Sequence, residues 1–273
     1  MLVQRLLTVV ILLPLVLAAI WYAPLPWLYA MFIVVSLLAA DEWTKLMGLP
    51  RTSAARWAYL LLSALVMIVL WPLRETVWPW LAGLAVLWWL LVLILICGYP
   101  DNFSRRRPGA WLLGLAGQLL WPPAILSLLI LRAENNGAEK LIYALALVWA
   151  ADTGAYLAGH AFGRRKLAPK VSPGKTREGA LGGLLLCLLW AFSGGEFAFA
   201  LDLKPLLWLA LISLLAAAAS IVGDLGLSMF KRLSGVKDSG SLLPGHGGVL
   251  DRLDSVFAAM PLLVLGLYWA GLH

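Results

Sequence analysis

Cysteine is nearly absent from this chain, and charge is scarce. Cys97 and Cys187 are the only two thiols in 273 residues, and they lie far apart inside apolar stretches. That spacing supports neither a metal-binding cysteine cluster nor a disulfide framework, and both read as small apolar packing residues. Charged side chains make up 13% of the sequence, against roughly 25% in a soluble domain. So little charge excludes an ordinary water-facing surface. Tandem repeats of fixed period and long Pro- or Ser-rich linkers are also missing, so nothing marks a repeat array or a boundary between domains.

What is abundant is hydrocarbon. Apolar residues make up 62% and the mean hydropathy is +0.89, an excess that no single core absorbs, so the natural solvent is lipid. The apolar segments recur with short gaps, and residues 1–273 read as one membrane domain. Within it, 1–131 is expected to be a helical scaffold and 141–273 to carry the chemistry. The net charge of +7 would suggest nucleic acid on a soluble protein. On a membrane protein, basic residues mark the cytoplasmic side and anionic lipid headgroups, so membrane lipids are the expected partners and nucleic acid is not.

A helix crossing the hydrocarbon needs about 20 residues. The expected class is therefore all-α and polytopic, with about nine transmembrane helices near 6–22, 25–41, 57–71, 78–97, 110–131, 141–159, 179–199, 205–223 and 254–272. Trp21, Tyr22, Trp27, Trp43, Trp57, Trp71, Trp78 and Trp80 gather near several ends, as an aromatic belt requires. Trp71-Pro72 and Pro122-Pro123 read as helix ends or kinks. With the N-terminus cytoplasmic and the helices alternating, 17 of the 21 Lys and Arg residues fall on the cytoplasmic side, leaving Arg74, Arg132, Lys140 and Lys204 opposite. The positive-inside rule favours that orientation. The first segment, with one Arg before a long apolar run, reads as a span rather than a cleaved leader.

Ionisable groups inside a membrane default to a functional reading. They gather in two runs, both cytoplasmic in this topology. The first places Asp152 inside an apolar helix, about two turns before its end. Six basic residues follow within positions 164–177. Ser172-Pro173-Gly174-Lys175-Thr176 then opens the next helix, where backbone N–H groups, a lysine and hydroxyls make a phosphate site. Arg164, Arg165 and Lys166 equally suit a loop that only sets topology.

The second run is Gly223-Asp224 through Lys231-Arg232, then Lys237-Asp238-Ser239, then Pro244 to Ser255. If helix continues past 223, Asp224, Ser228 and Lys231 share a face. Asp251 and Asp254 stand three apart at the mouth of the last span, so carboxylates from two helices converge around a 26-residue loop, 225–250. Carboxylate oxygens without cysteine partners suit Mg²⁺, which is commonly held by one or two carboxylates plus substrate phosphates. The plainer alternative for Asp251, Arg252 and Asp254 is a salt-bridged helix start. His246, between glycines, suits either a phosphate contact or a turn.

Ser228-Met229-Phe230-Lys231-Arg232, Lys237-Asp238-Ser239-Gly240, Leu243 to Gly248 and Asp251-Arg252-Leu253-Asp254 together resemble the signature of phosphatidate cytidylyltransferases, the CDP-diacylglycerol synthases. The Asp152 and Ser172–Gly179 runs resemble that family too. The motifs cover about the last 125 residues, and the N-terminal half matches in hydropathy alone. The resemblance implies a multi-helix fold, often a homodimer, in the bacterial inner membrane, with a polar cavity open to the cytoplasm. It implies CTP and phosphatidate as substrates, pyrophosphate as second product, and Mg²⁺ with allowance for a second, monovalent or divalent, cation.

On that basis Asp224, Lys231, Asp251 and Lys175 are the expected catalytic residues. Asp224, Asp251, Asp254 and Asp152 are the expected metal ligands, the first two foremost. Ser172, Lys175, Thr176, Ser228, Lys231, Arg232, Lys237, His246 and Arg252 are the expected substrate contacts. The sequence departs from the family in two places: Leu227 stands where a Glu is usual, and Arg177 where a Trp is frequent. The competing readings are a CTP-dependent transferase for another lipid phosphate and a membrane transporter. Transporters, however, usually place their polar residues near the bilayer midplane.

Overall fold

The computed structural model describes residues 2–104, 108–240, 242 and 247–272. Among the described residues nine α-helices follow one another: α1 (Leu2–Tyr22), α2 (Leu25–Leu46), α3 (Ala54–Cys97), α4 (Ala110–Gln118), α5 (Trp121–Ala133), α6 (Gly137–Phe162), α7 (Arg177–Phe199), α8 (Leu203–Leu233) and α9 (Leu250–Trp269). Among the described residues, six helical stretches are long and apolar enough to cross a membrane: α2, α3, α4 with α5, α6, α7 and α8. The chain is a helical integral membrane protein. Large apolar side chains are exposed all round the bundle, among them Leu61, Ile68, Ile94, Leu185 and Leu215, as lipid-facing surfaces require. α5 is the buried centre: Pro122 to Leu129 are all buried.

The helices differ from the expected spans in three ways. First, the stretches at 57–71 and 78–97 form one uninterrupted helix, α3, with Pro72 and Pro79 inside it. It is nonetheless bent. Tyr59 and Trp88 would stand about 44 Å apart on a straight helix at ~1.5 Å per residue. Yet ring contacts of 6.3, 6.4, 5.3 and 6.5 Å link Tyr59 to Trp121, Trp121 to Trp43, Trp43 to Phe230 and Phe230 to Trp88, so the two rings lie within about 25 Å. Proline removes a backbone donor and crowds the preceding turn, which locates the bend.

Second, the span at 110–131 is broken between α4 and α5. Pro122 and Pro123 sit in the first turn of α5, where missing N–H groups do no harm, but they could not continue α4. Third, α8 runs on to Leu233, so the loop expected at 225–250 is helical over its first nine residues.

The chain also departs from a purely helical fold. β1 (Lys166–Ala168) and β2 (Ser172–Thr176) form a two-stranded antiparallel hairpin between α6 and α7. Glu178 shapes its base by accepting the backbone N–H groups of Arg164 and Arg165 at 3.1 Å. Thr176 caps α7, its hydroxyl accepting the Gly179 N–H at 3.1 Å. α6 and α7 pack backbone to backbone: a Cβ on Gly183 would meet the Ala151 carbonyl oxygen at 2.7 Å, and one on Gly179 the Ala155 oxygen at 2.8 Å. Small residues allow such close approach between membrane helices.

The helix ends that carry polar residues meet at one side of the bundle. Arg56 at the start of α3 pairs with Asp41 of α2. Lys170 of the hairpin lies 3.8 Å from Asp101, just beyond the end of α3. Lys45 of α2 donates to the Ser239 carbonyl at 3.2 Å.

Candidate active site

At that side α6, α7, α8, α9 and the hairpin enclose an open cavity of about 980 Å³. Four of its carboxylates come from three helices. Asp152 of α6 stands within electrostatic reach of Asp224 and Lys175 and of Arg252, with Ser255 beside it in the cavity lining. Asp254 of α9 faces Asp224, Lys175 and Asp152, and its Oδ1 accepts the Ser255 N–H at 2.7 Å. Asp224 pairs with Lys175, which reaches in from β2. The continuation of α8 as helix is what places Asp224 and Lys231 on one face, two turns apart.

Asp251 is held differently. Lys231 Nζ donates to its Oδ1 at 2.7 Å. The backbone N–H groups of Ser239 and Gly248 both donate to its Oδ2 at 3.1 Å. The Gly248 bond closes the first turn of α9, so Asp251 serves the helix start as well as facing the cavity.

Eight of the expected site residues line this cavity: Asp152, Lys175, Thr176, Asp224, Lys231, Asp251, Arg252 and Asp254. Ser172, Ser228, Arg232 and Lys237 do not line it; Arg232 and Lys237 are exposed. His246 lies outside the described residues. Five polar cavity residues stand outside the expected set: Tyr156, His160, Ser220, Asp238 and Ser255. Tyr156 and His160, spaced i, i+4 and i, i+8 from Asp152, stack with ring centroids 6.0 Å apart at 10°. Asp238 and Ser255 stand beside anticipated positions. A periodicity of four along α6 would have found the first two. Leu227 lies between Asp224 and Lys231 on α8 and is buried. Arg177 is exposed, its N–H closing the hairpin onto the Arg165 carbonyl at 2.8 Å.

The described lining carries five carboxylates, Asp152, Asp224, Asp238, Asp251 and Asp254, against three permanent cations, Lys175, Lys231 and Arg252. A polyphosphate entering such a space needs further positive charge. Among the described residues, no three histidine, cysteine or carboxylate side chains lie close enough to enclose an ion. Any Mg²⁺ here would have to be completed by waters and substrate phosphates rather than by an all-protein cage.

The chain matches the model of the Cytidylyltransferase family over residues 3–269. The match therefore reaches well beyond the last 125 residues that carry the motifs and includes the N-terminal half. It is 42% identical over 277 residues to a protein of Pseudomonas aeruginosa named phosphatidate cytidylyltransferase, covering 99% of this chain and 98% of that one. A protein of the same name from Haemophilus influenzae is 39% identical over 283 residues, with 96% of each chain covered. A third, from Staphylococcus haemolyticus, is 44% identical over 131 residues, 48% of this chain and 49% of its own. With its family match spanning nearly every residue, this chain belongs to the Cytidylyltransferase family.

Proposed function

We propose that this protein transfers a cytidylyl group from CTP to phosphatidate, giving CDP-diacylglycerol and pyrophosphate for phospholipid synthesis. The observation that carries the reading is the convergence of Asp152, Asp224 and Asp254 with Lys175, Lys231 and Arg252 in one open cavity, in a chain whose near full-length relatives bear that enzyme's name.

The acceptor phosphate is already anionic, so the nucleophile needs little activation. The obstacle is repulsion between two anions, and nucleotidyl transfer is mostly positioning and charge neutralisation. A phosphatidate oxygen attacks the α-phosphorus in line; the new P–O bond forms as the bond to the β-phosphate breaks. Lys175 leaves its carboxylate partner to meet the triphosphate and the departing pyrophosphate, and Lys231, still paired with Asp251, adds positive charge beside them. Arg252 contacts phosphate oxygens. Mg²⁺ would be held by one or two of the carboxylates Asp224, Asp254 and Asp152, with Asp251 a further candidate on the cavity side and substrate phosphates and waters completing its shell. The ion would supply charge neutralisation on the triphosphate.

The acyl chains stay in lipid while the headgroup enters sideways, past the exposed Tyr156 and Leu157 of α6. With α3 bent at its prolines and counted as two crossings, and α4 with α5 as one, the bundle has nine crossings. That count returns the α2, α6 and α8 ends to a single side, which the positive-inside rule makes cytoplasmic. The reading is of an inner-membrane enzyme with its cavity facing the cytoplasm.

The test uses purified protein in detergent–lipid micelles with CTP, phosphatidate and Mg²⁺, following pyrophosphate release and CDP-lipid together. Coupled formation of both products, lost with EDTA and in Asp224→Asn, is expected. A folded protein that forms neither product with phosphatidate, but does so with another lipid phosphate, would replace the acceptor in this proposal.

A further inference from the structure

Glu42 lies in the last turns of α2, about 200 residues from the signature loop, in a span whose sequence suggests only scaffold. It is 3% exposed. Its carboxylate is fully engaged by that loop. Oε1 accepts the Val249 N–H at 3.0 Å, and Oε2 accepts the Leu250 N–H at 2.9 Å and the Ser239 hydroxyl at 2.9 Å. These three donors are neutral, so the charge is stabilised by oriented dipoles, two of them the first N–H groups of α9.

Helix starts leave N–H groups without intrahelical partners and favour negative charge. α9 has no capping side chain at Val249. Glu42 therefore caps α9 from another helix. The approach is close enough to account for two glycines of the signature, because a Cβ on Gly240 or on Gly248 would collide with the Glu42 carboxylate. The surrounding turn adds two ties: Lys45 Nζ donates to the Ser239 carbonyl at 3.2 Å, and the Ser234 hydroxyl donates to the Leu46 carbonyl at 2.8 Å.

The same loop points are gripped from the cavity side by Asp251, which takes the Ser239 and Gly248 N–H groups. Ser239 thus bridges two carboxylates, its hydroxyl on Glu42 and its N–H on Asp251. Anything that releases Glu42 loosens the segment that fixes the Asp251 carboxylate, its partner Lys231 and the start of α9, where Arg252 stands.

We infer that Glu42 is a positioning residue for the cytidylyl transfer, holding Ser239, Val249 and Leu250 and capping α9 so that Lys231, Asp251 and Arg252 hold their places in the cavity. The inference rests on the proposed reaction for its kinetic consequence and on geometry alone for the docking.

Full-length protein in micelles is compared as wild type, Glu42→Gln, Ser239→Ala and the double variant, by steady-state kinetics and by amide hydrogen exchange. In Glu42→Gln the carboxamide brings an NH₂ against an N–H or hydroxyl donor. Its kcat is expected to fall tenfold or more with KM for CTP within about threefold. Exchange at 247–252 should quicken tenfold or more, with α6 and α7 unchanged. Ser239→Ala, a milder change that keeps both backbone bonds to Glu42, should lower kcat severalfold, and the loss should largely vanish in the Glu42→Gln background, because groups in one network are non-additive. Normal kcat with normal exchange in Glu42→Gln, additive effects of the two substitutions, or loss of protection across all helices would each overturn the role. If wild type forms no CDP-lipid, the proposed reaction fails, while the exchange pattern still decides whether Glu42 holds the loop.

Discussion

Two lysine–carboxylate pairs face the same cavity and differ in what else holds them. In the Lys231–Asp251 pair the side chains are 13% and 8% exposed, and Asp251 also accepts two backbone N–H groups. In the Lys175–Asp224 pair they are 26% and 31% exposed, and the pair is flanked by the carboxylates of Asp152 and Asp254. The first pair is built into the loop and the start of α9. The second is crowded by like charge and free to change partners. A buried pair that organises backbone and an accessible pair that awaits a ligand can look alike in sequence. They separate only when every acceptor of the carboxylate is followed.

This contrast can be broken by experiment. The largest expected effect is from Asp224→Asn, with turnover down by 10²-fold or more, on the order of removing one preorganised charge partner from a reacting phosphate. Thermal unfolding in micelles should scarcely move, because the substitution relieves repulsion from Asp152 and Asp254. Unchanged turnover would remove Asp224 from the site. Asp251→Asn should lose turnover comparably and also destabilise the fold. Breaking a buried pair leaves an uncompensated charge and costs about 3–5 kcal/mol, read as a clear drop in unfolding midpoint beside Asp224→Asn. Equal midpoints for the two variants would erase the distinction.

Leu227→Glu sharpens the comparison from the ligand side. It places a second carboxylate on the α8 face shared by Asp224 and Lys231, where the family usually has one. The Mg²⁺ concentration for half-maximal activity should fall a few-fold, at a stability cost of about 1–3 kcal/mol for burying a polar group at a 2% exposed position. A Mg²⁺ titration that does not shift would show that position 227 does not communicate with the metal. The smallest effect is expected from Lys170→Ala, whose partner Asp101 is 3.8 Å away and largely exposed. Exposed pairs contribute about 0–1 kcal/mol, so its unfolding midpoint and turnover should match wild type.

Much of the site was legible in sequence because polar residues inside apolar helices stand out. Asp152, Asp224, Asp251 and Asp254 are conspicuous against their surroundings, and a helix continuing past Gly223 puts Asp224 and Lys231 on one face by arithmetic alone. Glu42 is not legible in the sequence, because a single carboxylate near the end of a span is unremarkable and its meaning lies in donors about two hundred residues away. Tyr156 and His160 are equally illegible, because aromatic residues at a membrane boundary have a ready explanation as belt residues. The spans at 57–71 and 78–97 were separable in hydropathy at Arg74-Glu75. The backbone nevertheless stays helical through them, because intrahelical hydrogen bonds persist while prolines bend the axis.

The sequence by itself determined that the chain lives in lipid, which segments are apolar enough to cross it, and where its ionisable groups concentrate, because each of these depends on local composition and spacing. Only the tertiary structure decided which carboxylate pairs with which lysine, that α3 is bent, and that α2 caps α9. Those outcomes depend on contacts between residues remote in sequence, and a buried carboxylate is satisfied by whichever donors the packing brings to it.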